Sequence, residues 1–275
     1  MRERLKQLTA VSAIVLVAGV SLVACSDKAD PKADGVGESS GETLTQANFF
    51  DEVSEAQTKA GTTHVAMALE VAGQAIKADG DLSVGETAED TAMAMTMESG
   101  QAGLGSLEMR LIDQTFYLNF GPMTSNKFAK VDLTDESNPI GKQYAEIVGS
   151  IDPAQQFKEF EGAVKTFEKK GKVIELDGVK AQPYVIVVDS SKLPAAKGAA
   201  SESLPKDLEY TMYIGPDNLP RRVLTDMPGL GGSGSTTMTI NYTKWGEEVS
   251  ITKPKASEIT DKDFFSQLGS PTPEA

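Results

Sequence analysis

The chain has 275 residues, with 40 Asp and Glu against 26 Lys and Arg, and a formal net charge of −14 at pH 7. An acidic surface argues against nucleic acid as a partner, because phosphate contacts need Lys and Arg. The single His excludes a multi-histidine metal site, and the single Cys excludes an intramolecular disulfide. The fold therefore has to be held by its core alone.

The first 24 residues have the pattern of a secretory signal peptide, with a basic start, an apolar run over Val11–Val20 and a small residue before a cysteine. The apolar run is shorter than the roughly 20 residues of a transmembrane helix. The segment Leu22–Cys25 resembles the lipobox of bacterial lipoproteins, in which the cysteine takes a diacylglyceryl group and becomes the new N-terminus. We predict cleavage before Cys25 and a lipid anchor on the outer face of the cell membrane.

The rest of the chain divides by composition into three parts. Residues 26–42 are poor in apolar residues and rich in Asp, Lys, Gly and Ser, which is typical of a flexible tether. Residues 43–268 are enough for one domain of ordinary size, and residues 269–275 are predicted to be a disordered tail. The predicted organisation is thus a signal peptide over 1–24, the acylated cysteine and tether over 25–42, and one folded domain.

A helix opens the folded domain, with Thr45 as its predicted cap and Gly61 at its end. Period-two alternation of apolar residues then predicts strands with two distinct faces. These early strands carry Val65–Val71, Met93–Met97 and Leu107–Leu111. Turns are predicted at Asp79-Gly80, Ser99-Gly100 and Gly121-Pro122.

The middle of the chain is predicted to be helical. A short helix is expected over Ile140–Val148, and Asp152 caps a second one whose Phe157, Phe160 and Val164 share a face. Strands then return at Val173–Leu176, Pro183–Val188, Leu208–Ile214, Arg221–Thr225, Thr236–Tyr242 and Glu248–Thr252. Turns are predicted at Asp177-Gly178 and Pro216–Asn218, and mobile loops at Lys192–Ser203 and Gly229–Ser235.

The order of these elements predicts an α+β fold. Short connections between successive strands imply an antiparallel sheet. A long antiparallel sheet with few helices should curl strongly and wrap its helices on the concave face. We therefore expect a half-barrel with the helices packed inside the curve.

Catalytic signals are weak. Gly37–Gly41 matches the Gly-x-Ser-x-Gly motif, but it lies in the tether without the strand and helix of a nucleophile elbow. His64 begins the first predicted strand and is the best candidate for a base, although a structural histidine is the favoured interpretation. Acidic runs such as Asp132–Glu136 are typical of solvated faces. We expect no enzyme activity, no metal and no cofactor.

Methionine is the unusual apolar residue on the early strands. Five of the 10 methionines fall there: Met67, Met93, Met95, Met97 and Met109. Methionine is flexible and polarisable, so it packs against irregular or variable apolar partners. Two interpretations remain open: a packed core with methionine as filler, which composition alone favours, or the wall of a cavity that receives acyl chains.

Several short segments, taken in order and spacing, resemble the LppX/LprG family of actinobacterial lipoproteins, within the wider group shaped like the LolA and LolB carriers. The resemblance runs from about Thr43 to Ile259. It is carried by Leu44–Phe50, Ala78–Leu82, Glu108–Ile112, Phe128–Asp132, Tyr184–Asp189, Tyr213–Gly215, Leu219–Arg222 and Tyr242–Ile251. One departure is Phe128, which stands near a position where the family pattern has Trp.

The resemblance implies a half-barrel whose apolar cavity takes the acyl chains of a lipid or glycolipid with two or three such chains. It also implies a non-enzymatic carrier that works across the envelope, with a transporter or another envelope component as partner and the two loops as candidate gates. The candidate cavity-wall residues are Met67, Leu69, Met93, Met95, Met97, Met109, Leu111, Phe157, Phe160, Tyr184, Ile186 and Met212. Which strand face lines the cavity is left open.

Two other classes of function remain as alternatives. A sensor or scaffold lipoprotein would use the same sheet to dock a protein partner, with the cavity filled by Met93, Met95 and Phe157. An envelope hydrolase would need a nucleophile close to His64.

Overall fold

The structure is a computed structural model that describes residues 43–71, 74–85, 90–99, 106–135, 160–193, 205–228 and 235–260. Within these ranges the helix α1 (Phe49–Ala60) precedes twelve strands, and residues 160–163 are the end of a further helix. The strands are β1 (Thr62–Val71), β2 (Gln74–Ser83), β3 (Ala92–Ser99), β4 (Ser106–Ile112), β5 (Thr115–Asn119), β6 (Ala129–Asp132), β7 (Val164–Lys169), β8 (Ile174–Leu176), β9 (Val179–Asp189), β10 (Asp207–Ile214), β11 (Pro220–Pro228) and β12 (Ser235–Thr243).

The strands form one large open sheet. Their order is β6-β5-β4-β3-β2-β1-β12-β11-β10-β9-β7, and β8 pairs with the first residues of β9, whereas β7 pairs with later ones. Adjacent strands pair antiparallel throughout this order. The predicted antiparallel sheet is therefore confirmed, and the pairing of β1 with β12 joins an N-terminal half (β1–β6) to a C-terminal half (β7–β12).

Helix α1 begins one turn later than the predicted cap. Asn48 is the N-terminal flanking residue, and its Oδ1 accepts hydrogen bonds from the backbone and hydroxyl of Thr45 at 2.6 and 2.9 Å. Thr45 is thus held outside the helix, so its prediction as the cap is wrong. The predicted end is confirmed, because Gly61 has a φ of 75° and its N–H donates to the carbonyl of Gln57.

The predicted turn at Asp79-Gly80 is also wrong. Strand β2 runs through both residues, and Gly80 pairs with Val65 on one side and Met95 on the other. A Cβ added at Gly80 would lie 2.1 Å from the carbonyl oxygen of Ala94, so glycine stands here because the neighbouring backbone is too close for a side chain. The glycine at this position therefore marks a close approach of two backbones, not a turn.

Two other expectations fail at the ends of elements. The predicted helix through Val164 stops at Ala163, and Val164 begins β7, which pairs with β9 at the edge of the sheet. Glu248–Thr252, predicted to be a strand, lies outside the strands and crosses the sheet instead. The turns at Gly121-Pro122, Asp177-Gly178 and Pro216–Asn218 are confirmed.

Several predictions lie outside the described residues and stay predictions. These are the signal peptide, Cys25 and the tether, the short helix over Ile140–Val148, the helix beginning at Asp152, most of the loops Lys192–Ser203 and Gly229–Ser235, and the C-terminal tail.

Side chains on the α1 side of the sheet form what we call the inner face, and the other side is the outer face. Two hydrophobic clusters occupy the inner face. The larger cluster lies between α1 and strands β7, β9–β12 and β1, with Phe49, Ile186 and Val188 fully buried. The smaller cluster lies on β5, β6 and the residue after it, around Leu118, Val131 and Leu133. Strand β3 contributes to neither cluster within the described residues.

Candidate functional site

The strand register builds a continuous apolar surface between the two clusters. One cross-strand row runs Met67–Ala78–Met97–Leu107, and the next runs Val65–Gly80–Met95–Met109–Leu118. Antiparallel partners in such rows stand about 5 Å apart and on the same face, so each row is a strip of neighbouring side chains. Alternation along each strand and register between strands together place the early-strand methionines on one face.

The candidate wall residues fall into three groups on this inner face. Leu69, Phe160, Tyr184, Ile186 and Met212 belong to or pack on the larger cluster. Met109 and Leu111 pack on the smaller one. Met67, Met93, Met95 and Met97 lie on the strands toward the gap between them, and Met67 also touches the larger cluster. Phe157 lies outside the described residues.

The C-terminal half of the inner face is closed by an aromatic cluster. The ring of Phe49 lies 5.3, 5.1 and 5.2 Å from the rings of Phe50, Phe167 and Tyr184, and Phe160 bridges Phe50 and Tyr210 at 5.5 and 5.4 Å. Such edge-to-face contacts are typical of a packed core.

Burial of the tyrosines supports this conclusion. Desolvation raises the pKa of Tyr210 to about 12, and it also raises the pKa values of Tyr184 and Tyr242, since an ionised phenol is disfavoured away from water. Candidate residues Tyr184, Ile186 and Met212 are therefore part of a solid core in this structure.

The part of the inner face that carries the methionines of β1, β3 and β4, which we call the methionine half, is not filled by such a cluster. It contains an apolar recess lined by Met67, Ala78, Met95, Met97, Leu107 and Met109. The small side chain of Ala78 is 3% exposed and forms part of the recess wall between methionines of the neighbouring strands. This is the place where the described structure leaves apolar space beside flexible side chains.

The size of the recess limits what it holds as it stands. Its volume is about 10 Å³, which is about the room that one water molecule needs. Sites for small organic ligands usually measure roughly 300–1,000 Å³. A lipid with several acyl chains therefore fits only if the strands or side chains around the recess move apart.

Two residues that line the recess were not among the candidate cavity-wall residues predicted from the sequence. Ala78 and Leu107 lie in the same row as Met67 and Met97. The sequence could have predicted that Leu107 lines the recess, because Leu107 alternates in phase with Met109 and Leu111 and so lies on the same face of the strand. Ala78 could not be predicted in this way, since its size matters only beside its cross-strand neighbours.

His64 lies on the outer face, away from the recess. Its Nδ1 is 2.8 Å from Asp81 and its Nε2 is 3.1 Å from Asp79, so both ring nitrogens face carboxylates on β2. Within the described part of the chain, no group of three His, Cys, Asp or Glu residues is arranged to hold a metal ion. The position of His64 fits the favoured interpretation of a structural histidine that ties β1 to β2.

The fold and the inner face together define the class: a large open antiparallel sheet with α1 over half of an apolar face. Among solved structures, the chain is similar to the Mycobacterium tuberculosis lipoprotein LppX, with a TM-score of 0.50 and 15% identity over 76% of this chain and 100% of that one. It has the fold of that lipoprotein, so the predicted resemblance to LppX/LprG proteins is confirmed at the level of fold.

Weaker similarities accompany this one. LprF from Mycobacterium bovis gives a TM-score of 0.48 at 15% identity, over 76% of this chain and 96% of that one. A DUF1329 family protein from Desulfovibrio piger gives 0.28 at 7% identity, over 74% of this chain and 94% of that one. No protein-family model matches the sequence, and no curated protein does. Among the described helices, none is long and apolar enough to cross a membrane.

Proposed function

We propose that this chain is a lipid-anchored lipoprotein of the cell envelope that binds acyl chains of a lipid or glycolipid on the inner face of its sheet. It then carries or presents that lipid across the envelope without catalysing a reaction. The observation that carries this proposal is the apolar recess among the methionines of β1, β3 and β4, in the gap between two packed clusters.

Acyl chains suit such a surface for a physical reason. Each methylene group exposed to water costs about 0.8 kcal/mol, so a carrier gains by enclosing nearly the whole chain. Methionine side chains change shape at little cost and can follow chains of different lengths. The proposal includes a strongly curved half-barrel with its helices on the concave face, because a curved sheet encloses a chain on more sides than a flat one.

The recess of about 10 Å³ has no room for an acyl chain, so uptake of a chain requires the methionine half of the sheet to open. The C-terminal half of the inner face stays closed, because its aromatic rings already fill the space under α1. The lipid would therefore occupy the β1–β4 side of the inner face.

The small recess also favours a second function. A sensor or scaffold lipoprotein that docks a protein partner needs no cavity, and in that case Met95 and its neighbours would simply fill the space between the clusters. The two functions differ in whether the purified chain contains and binds lipid.

A substitution at Ala78 tests the proposal. We expect Ala78→Leu to weaken binding of a fluorescent fatty acid roughly tenfold or more, because about three added methyl or methylene groups take the place of chain atoms in the recess. Ala66→Leu is the matched control, since Ala66 is a half-buried alanine on the adjacent strand but on the outer face. Binding would be measured by titration in the full chain carrying Cys25→Ala.

Chemical denaturation of both variants would check that they remain folded. Organic extraction of the chain from its native host would show directly whether lipid is present. Equal binding by the Ala78→Leu and Ala66→Leu chains would place the ligand elsewhere. Absence of lipid in repeated preparations, with no binding by the unsubstituted chain, would overturn the carrier function and leave the scaffold function.

A further inference from the structure

After β12 the chain crosses the outer face of the N-terminal half of the sheet. We call this segment, Lys244–Thr260, the strap. It is fixed first at β1: the N–H of Gly246 donates to the carbonyl of Thr62 at 2.9 Å, and the Thr62 hydroxyl donates to the carbonyl of Glu247 at 2.7 Å. The strap therefore starts from the middle of the twelve-stranded sheet.

The strap is fixed again at β4. Arg110 points to the outer face, and its guanidinium donates to the carbonyl of Thr252 at 2.9 Å. The same guanidinium lies 4.8 Å from the centre of the Phe128 ring, a cation–π contact. Beside it, Lys253 and Asp113 pair at 2.6 Å, and this contact raises the pKa of Lys253 above its ordinary value.

The far end of the strap is fixed at β6, the edge of the sheet. The N–H of Phe128 donates to the carbonyl of Glu258 at 2.7 Å, and the N–H of Thr260 donates to the carbonyl of Phe128 at 2.9 Å. These two bonds form a parallel bridge between Phe128 and Ile259, and Phe128 is buried. From β1 to β6 the strap thus spans six strands, about 24 Å at the usual strand spacing.

Between these contacts the strap does not pack tightly on the sheet. A polar space of about 160 Å³ separates it from β3 and β4, with Ser250 and Thr252 on one side and Ala94, Thr96 and Glu108 on the other. The strands below this space carry Met95 and Met109 on their inner side. The strap therefore spans, from the outer face, the strands that form the methionine recess, and it is held to them at separate contacts rather than along its whole length.

These contacts lead to one inference about the control of the acyl site. We propose that the strap is a clamp on the outer face which limits how fast the methionine half of the sheet opens to admit or release an acyl chain. The proposal rests on the acyl-binding function proposed above. Because the strap is fixed at β1, β4 and β6, the sheet cannot change its curvature there unless at least one of these contacts breaks.

Loosening the middle contact should therefore change rates more than affinity. We expect Arg110→Ala to increase both the association and the dissociation rate of a fluorescent fatty acid at least threefold, with a smaller change in its dissociation constant. Arg222→Ala is the matched control: Arg222 also lies on the outer face, and its Nε donates to Asn241 at 2.7 Å, but it belongs to the C-terminal half. Stopped-flow fluorescence on the full chain with Cys25→Ala would measure both rates.

A second pair of variants covers the case in which Arg110→Ala fails to fold. Lys253→Ala breaks an exposed ion pair of the strap, and Lys165→Ala breaks an exposed pair with Asp207 of the same 2.6 Å length in the C-terminal half. Exposed pairs contribute little to stability, so both chains should fold. The clamp requires faster exchange in the Lys253→Ala chain and unchanged exchange in the Lys165→Ala chain.

The outcomes separate the clamp from the function on which it rests. If the unsubstituted chain binds the fatty acid and the strap variants exchange it no faster than their controls, the clamp is wrong and acyl binding stands. If the unsubstituted chain does not bind the fatty acid at all, both proposals are overturned.

Discussion

Gly80 lies where two strands leave no room for a side chain. Beyond its contact with Ala94, a Cβ there would stand 2.6 Å from the Cα of Met95. Both of these contacts involve backbone atoms, which cannot turn away as the end of a flexible side chain can. The methionine row through Met95 therefore depends on glycine at this position.

We predict that Gly80→Ala destabilises the protein by about 1–3 kcal/mol, the usual cost of forcing an extra methyl group into a packed position. Gly162→Ala is the control, because a Cβ there would meet nothing within 4 Å and Gly162 lies in a helical turn. We expect that change to be neutral or slightly stabilising. Urea denaturation would measure both, and equal stability of the two variants would contradict the crowding argument.

The methionines of β3 and the pair Asp79-Gly80 show which local patterns predict structure correctly and which do not. The alternation of Met93, Met95 and Met97 correctly predicted that they share a face, because side chains in a strand alternate strictly. The pair Asp79-Gly80 misled, because glycine is common both in turns and where two backbones approach closely. Only the positions of the neighbouring strands distinguish these two uses.

At the scale of elements, α1 covers part of the inner face. Its buried residues are Phe49, Phe50, Val53, Ser54 and Gln57, and the first three belong to the larger cluster. Phe49 contacts three aromatic rings and has no exposed surface. This helix therefore packs against the C-terminal half of the sheet and stabilises its core.

Truncation of Phe49 should show how much that half depends on α1. We predict that Phe49→Ala lowers the free energy of unfolding by about 3–5 kcal/mol, since a large buried ring leaves a cavity that its neighbours fill only in part. Glu55→Ala, an exposed change in the same helix, should stay within about 0.5 kcal/mol. A loss of less than about 1 kcal/mol for Phe49→Ala, measured by thermal and chemical unfolding, would show that α1 is not required to hold the core.

Two elements were predicted with the wrong structure for the same physical reason. Val164 completes a helical spacing with Phe160, yet it pairs with β9 because that strand offers backbone groups that need partners. Glu248–Thr252 alternates like a strand, yet it crosses the sheet at Arg110 instead. Tertiary hydrogen bonding overrode the local pattern in both cases.

At the scale of the whole molecule, the acidic chain needs a lipid anchor to stay at a membrane. A net charge of −14 repels anionic head groups, so attachment by a basic patch is not expected. Two or more acyl chains give stable attachment, whereas one gives only reversible binding. We therefore propose that the acyl chains on Cys25 alone hold the chain at the outer face of the membrane.

Replacement of Cys25 tests this anchor. We predict that Cys25→Ala abolishes incorporation of a labelled fatty acid and shifts the protein from the detergent-rich to the aqueous phase on phase separation. Ser26→Ala is the neighbouring control and should keep both the label and the partition. Label retained after Cys25→Ala, measured by intact mass and gel fluorescence, would contradict acylation at that residue.

The sequence alone determined that the fold is an antiparallel sheet with few helices, and it determined most of the strands, the turn at Asp177-Gly178 and the methionines that share a face. These features follow from local periodicity and from turn residues, which act over a few neighbouring positions. Only the tertiary structure decided that this shared face lies toward α1, that Ala78 and Leu107 join the methionines, and that the strap crosses the opposite face. Those features depend on the register between strands distant in sequence, and no local pattern encodes that register.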